Sequence, residues 1–262
     1  MPRLRPAVSL LLALPAVFPA CSLTGDEAWS GFHAQAGAGG YLVGLSGDIQ
    51  TTSGALQGSF DTDAIGQDDS VLGGMFEVRA GLAPLELGLS GFEYSQTGRG
   101  TYTGSFLGQN FTGAVRSDFE ITNFQATLGL DVVNTEVVRV GALLGLDYLS
   151  VDLQLDDTSG LTSARLDESL PVPVLGLRAD ASLGEDWRVG GQIAGLAVNV
   201  NDFDVTFLDG QAGVHWEVFD HGEVFLGWRL LDLDFKGPLD STTDADVGVR
   251  LSGPFLGVGI AF

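Results

Sequence analysis

Leu256-Gly257-Val258-Gly259-Ile260-Ala261-Phe262 sets an apolar side chain at every second position with only glycine or alanine between. Successive side chains of a strand point to opposite faces, so this stretch predicts a strand with one apolar face and one nearly bare face. Such a strand needs hydrogen-bonding neighbours at its edges and an apolar medium, or another layer of protein, on one side.

The same period of two runs back through the chain. Phe124, Ala126, Leu128, Leu130 and Val132 alternate with Asn123, Gln125, Thr127, Gly129 and Asp131; Leu208, Gly210, Ala212, Val214, Trp216 and Val218 alternate with Asp209, Gln211, Gly213, His215 and Glu217. The pattern predicts an all-β chain of about ten strands, with eight or twelve as the neighbouring even counts: 41–50, 71–82, 85–96, 118–133, 137–150, 171–183, 187–199, 206–219, 223–235 and 247–262. Tight turns fall at Ala83-Pro84, Asn134-Thr135-Glu136, Gly184-Glu185-Asp186 and Asp220-His221-Gly222. The alternate connections, 51–70, 97–117, 151–170, 200–205 and 236–246, are mostly long and polar. Short and long connections in alternation are what an up-and-down antiparallel barrel crossing a bilayer requires.

No helix is predicted that would cover the apolar face of such a sheet, whereas lipid would. A two-sheet sandwich that covers itself is the competing architecture. In several strands the apolar residues change phase near one end, as in Leu231, Leu233 and Phe235, and again around Gly253-Pro254. Such breaks, read as bulges, mark one level at which the strands leave the bilayer. Trp187, Trp216, Trp228, Phe92, Tyr94 and Tyr148 suit aromatic girdles at the interfaces.

The phase opposite the apolar face places Glu77, Arg79, Glu86, Asp131, Arg139, Asp147, Arg178, Asp180, Arg188, Asp209, His215, Glu217 and Arg229 in the lumen. Buried charge requires opposite charge or water, so Arg to Asp/Glu pairs are expected to lace the interior. Either they fill and stiffen a narrow barrel or they line a charge-selective conducting pore.

Residues 1–20 begin with Arg3 and Arg5 and continue through an apolar run to Pro19-Ala20, the layout of an export signal. Cys21, the one cysteine, follows directly and is either acylated or, with ordinary cleavage nearby, discarded with the signal or left inert. Residues 21–40 form a tether or lead-in containing His33, and 41–262 the barrel. The chain has 12 Lys and Arg against 34 Asp and Glu, a formal net charge of −22, which argues against a nucleic-acid partner. His215 beside Asp209, Gln211 and Glu217 is the one constellation that could furnish a general base, with a lumen hydrogen-bonding role as the simpler assignment. No nucleophile elbow, zinc-binding His-Glu-x-x-His, cysteine pair or phosphate loop is present, so no cofactor and no metal site is expected. Asp61-Thr62-Asp63-Ala64-Ile65-Gly66 echoes a calcium loop but lacks its ligand at Ile65 and its closing Glu at Leu72, and is expected to be a solvated loop.

Over residues 41–262 the chain resembles the small outer-membrane β-barrel proteins of Gram-negative bacteria, the porin-like and outer-membrane-protein barrel families. The resemblance rests on the alternation, the turn pattern and the terminal Val258-x-Ile260-x-Phe262. It implies an outer-membrane location, lipid as surroundings, and recognition of the last strand and its Phe262 by the barrel-assembly machinery. The function expected is that of a non-enzymatic integral barrel, structural or with a narrow charge-paired passage for small solutes or ions. A conducting porin-like channel and a lipid-tethered soluble β protein are the alternatives.

Overall fold

The structure, a computed structural model, describes residues 32–54, 56–67, 69–200, 203–219, 221–238 and 243–262. The export signal and Cys21 lie outside these residues. Eleven strands and one 3-10 turn are present: β1 (Phe32–Ser53), β2 (Leu56–Asp61), the turn (Thr62–Ile65), β3 (Val71–Leu82), β4 (Leu85–Phe106), β5 (Gln109–Asn134), β6 (Val138–Asp157), β7 (Ser163–Ser182), β8 (Trp187–Val200), β9 (Phe203–Phe219), β10 (Gly222–Pro238) and β11 (Thr243–Ala261). From β3 to β11 each strand pairs antiparallel with the next, and β11 pairs with β1 from Gln35–Ala261 up to Ser53–Thr243. The sheet therefore closes in a ring. Phe262 extends the closure, exchanging both main-chain hydrogen bonds with Ala34 at 2.8 and 2.9 Å.

Eleven strands stand where ten were expected because β2 and β3 share one edge of β1. β3 covers Phe32–Val43 and β2 covers Asp48–Ser53. Between them the 3-10 turn folds inward instead of standing in solvent, burying Thr62 and Ile65. Ser117 Oγ donates to the Ile65 carbonyl at 2.7 Å, and Gln67 Nε2 donates to Ser117 Oγ at 2.8 Å. Gly66 ends the turn at φ 81°, a conformation that costs glycine little.

β1 also begins earlier than its expected start at 41. Its first half is rich in Gly and Ala, which hides the alternation, but these small residues have a packing role. A Cβ on Gly37 would lie 2.6 Å from Cε1 of Phe225, and Gly257 on β11 is covered by the same ring. One phenylalanine thus fills the interior beside bare backbone on two strands.

Most of the expected long connections are strand. β4 and β5 pair continuously out to Phe106–Gln109, and β6 and β7 out to Asp156–Ser163. The reason lies in the apparent phase breaks, which are not bulges. Register shifts occur only at Asp131/Val133 and Gly222/Glu223 among the described residues, both at the opposite end of the ring from these hairpins. Along β10 the inward side chains are Glu223, Phe225, Arg229, Leu231 and Leu233, and the outward ones Val224, Leu226, Trp228, Leu230, Asp232, Asp234 and Lys236. The pleat is unbroken; what inverts is the chemistry of its two faces.

The inversion occurs at one level around the ring. Outward Leu42, Leu89, Phe124, Tyr148, Leu208 and Leu230 are followed by Ser46, Glu93, Glu120, Asp152, Asp204 and Asp232 within one or two outward positions. Below this level the exterior is apolar and exposed: Leu87 (64%), Leu144 (53%), Leu177 (61%) and Val258 (65%) are examples. Above it the exterior is polar, and Tyr94, Phe119, Leu153, Phe207, Leu231 and Leu251 form a buried core. Phe60, Tyr102, Phe106 and Phe111 close the top, Phe60 lying 5.1 Å from Tyr102 and 5.4 Å from Phe106 between centroids in edge-on contacts.

The wall has a seam. β7 pairs with β8 only from Ser182–Arg188 to Leu175–Gly195; beyond that β8 continues with β9 alone and β7 with β6. The next rungs would set Pro173 against Ala197 and Pro171 against Asn199, and proline has no N–H to donate to either.

Candidate functional site

The polar interior lies below the inversion level and divides into two networks. In the lower one, Glu86 is the hub. Arg139 Nη1 donates to Glu86 Oε2 at 2.6 Å, Arg178 Nη1 donates to Glu86 Oε1, and His33 Nε2 lies 2.7 Å from Oε2. Arg139 also donates to Asp180 at 2.8 Å, Arg178 to Asp131 at 2.6 Å, and Arg79 lies 3.4 Å from Glu77 and 3.6 Å from Asp180. β1, β3, β4, β5, β6 and β7 contribute this set, each carrying its polar or charged residues in the inward phase toward the end that bears the short turns.

Beside it, Glu223 accepts from Gln35 at 2.6 Å and from Arg188 at 3.0 Å, with His215 Nδ1 at 3.3 Å. The expected neighbours of His215 are thereby corrected. Asp209 is elsewhere, and Glu217 is exposed at the end of β9, where its N–H donates to the Asp186 carbonyl.

The upper network is centred on Arg229, which is almost wholly buried. It donates to Asp209 at 2.6 and 3.2 Å and to Asn123 Oδ1 at 3.1 Å, and its guanidinium carbon sits 4.7 Å from the Phe92 ring centroid. Asp147 accepts from Asn123 and Gln125, and Gln125 also donates to Asp209 at 3.2 Å. Tyr41 OH donates to the Arg229 carbonyl at 3.1 Å. Phe92 and Tyr94, expected in a girdle, are inside; Trp187, Trp216, Trp228 and Tyr148 face outward, with the Trp187 and Trp216 rings stacked at 5.5 Å.

Sequence reasoning missed His33, Gln35, Glu223 and Gln192 as members of these networks, and placed Asn123, Gln125 and Gln211 on the polar face without assigning them partners there. Glu223 keeps step with Arg229 in β10, and Asn123 and Gln125 with Asp131 in β5, so their phase carried a signal. His33 and Gln35 were hidden by the small residues after them.

Two cavities of about 10 Å³, each room for one water, remain among these side chains. Glu77, Arg79 and Gln211 line both, and Gln211 Oε1 is buried without a protein partner. Among the described residues no group of three His, Cys, Asp or Glu is placed to hold a metal ion. The arrangement can hold water and fix the strands to one another across the lumen. Above it the interior is mainly apolar, with the buried Gln67 and Ser117 hydrogen-bonded among the aromatic side chains.

On the outer half the charges are exposed. Arg165 pairs with Asp152, Arg250 with Asp232, and Lys236 with Asp246 at 2.8 Å. Exposed pairs of this kind are screened by water and contribute little to stability. In the β6–β7 hairpin, Ser159 donates to Asp157 from its N–H at 3.0 Å and its hydroxyl at 2.8 Å, which holds that carboxyl below its usual range.

Solved proteins of similar fold are found. The outer membrane protease OmpT of Escherichia coli superposes with a TM-score of 0.55 at 12% identity, over 87% of this chain and 97% of that one. The chain has the fold of the outer-membrane β-barrel proteins. Neisserial surface protein A matches over 89% of this chain and 98% of its own (15% identity, TM-score 0.33). The attachment invasion locus protein Ail of Yersinia pestis matches over 88% and 99% (13%, 0.32). No protein-family model and no curated protein sequence matches.

Proposed function

We propose that the chain is a non-enzymatic integral β-barrel of the outer membrane, structural in role. Counted as one stave, β2 and β3 bring the barrel to ten. The observation that carries this reading is the inversion: outward leucines give way to outward carboxylates at the level where inward charges give way to an apolar core. A soluble sheet has no use for the lower half of that arrangement, since its largest apolar surface would face water. A bilayer on the lower half and water on the upper half satisfies both. Lipid is then the principal partner, and Val258, Ile260 and Phe262 are the segment offered to the assembly machinery.

The filled lumen favours a structural barrel over a conducting one. Salt-bridged arginines occupy the lower lumen, and Phe92, Tyr94, Phe119, Leu149, Phe207 and Leu231 the region above. The protein reconstituted in planar bilayers is expected to give no single-channel steps at 100 mV in 1 M KCl. Sustained steps abolished by boiling would overturn the closed lumen, and release from membranes by carbonate without detergent would overturn the integral placement.

A further inference from the structure

Above the Leu175–Gly195 rung the two sides of the seam diverge, and their inward aliphatic side chains are only partly covered. Val151 and Leu170 stand on the β6–β7 side; Leu196, Val198 and Val205 stand on the β8–β9 side. Their inward neighbours Leu149, Val172, Val174, Ala194 and Phe207 are buried, so along these four strands the partly covered aliphatics gather at the notch. Glu168, also in the inward phase of β7, is exposed at the upper rim.

We propose that this notch holds one acyl chain of the surrounding lipid, running past Pro173 and Ala197 with Leu170 and Leu196 behind it. The proposal rests on the membrane placement above. The foot of the notch is continuous with the lipid-facing surface at Leu175 and Ile193. Its inner wall is aliphatic, and Pro171 and Pro173 present no N–H along one edge, so water entering it would find few donors and an apolar backing. The same prolines oppose a second copy adding a strand there. Glu168 sets the upper limit, where the occupant must yield to water.

Nitroxide labels at Leu170→Cys and Leu175→Cys, each with Cys21→Ser, in phosphatidylcholine–phosphatidylglycerol vesicles test this through collision with oxygen and with a water-soluble nickel chelate. Both labels are expected to favour oxygen several-fold. A lipid-exposed label at 175 with a label at 170 that favours nickel, or is shielded from both, would overturn the notch and leave the membrane placement standing. Nickel preference at 175 as well would overturn both. Leu196→Cys gives the same readout should the label at 170 prevent folding.

Discussion

Replacing Arg229 by methionine is expected to lower stability by about 3–5 kcal/mol, the usual cost of stranding one member of a buried ion pair. Arg229 serves Asp209, Asn123 and Phe92 at once and is 1% exposed, so no solvent can replace it. Its loss leaves Asp209 buried with only the Gln125 amide, and Asp147, which shares that amide, already lacks a basic partner among the described contacts. Urea unfolding in detergent micelles, followed by the heat-modifiable shift on gels, measures the loss. The double variant Arg229→Met/Asp209→Leu should regain most of it, because removing both charges removes the desolvation cost along with the attraction. A single variant within about 0.5 kcal/mol of the parent would mean that the upper network is wet and screened.

The second large effect concerns the exterior. Leu177→Arg places a cation on the outward face of β7 inside the apolar band and is expected to cost about 2–4 kcal/mol in a bilayer. Thr101→Arg, outward on β4 above the inversion level, should stay within about 0.5 kcal/mol. Both positions are solvent-accessible in the bare protein, so in a soluble protein the two changes would differ little. Unfolding titrations in lipid vesicles supply the comparison, and equal costs would count against lipid as the lower half's surroundings.

The fold class, the antiparallel order from β3 to β11 and the closing strand were legible because alternation survives wherever one face is apolar and the other is not. The outer halves of the strands were misjudged for a related reason. Above the inversion level the inward phase carries Leu231 and Leu233 and the outward phase Asp232 and Asp234, so the alternation persists with its sense reversed. Read against a single outward phase, that reversal looks like a bulge or the start of a loop. The first half of β1 was lost because Ala34, Ala36, Gly37, Ala38, Gly39 and Gly40 carry no period; a Cβ would meet Phe225 at Gly37, the β11 backbone at Gly39 and Leu72 at Gly40.

Lumen charges could be assigned by phase, but their partners could not. Glu86 meets Arg139, Arg178 and His33 from three other strands, and such meetings depend on the stagger of a closed sheet, which the sequence of one strand does not encode. Aromatic residues divided similarly. Trp216 and Trp228 kept the outward phase of their strands, while Phe92 and Tyr94 share the inward phase of Glu86 and Ser90 and so line the interior.

The two faces of the strands exchange their chemistry at one level, and the proposed placement sets lipid against the lower exterior and water against the upper. Single cysteines at the even positions of β10 from Val224 to Lys236, each with Cys21→Ser, probed in vesicles with a membrane-impermeant maleimide, test it most directly. Reaction at 232, 234 and 236 with protection at 224, 226 and 228 is the predicted result. Uniform reaction along the strand would contradict it.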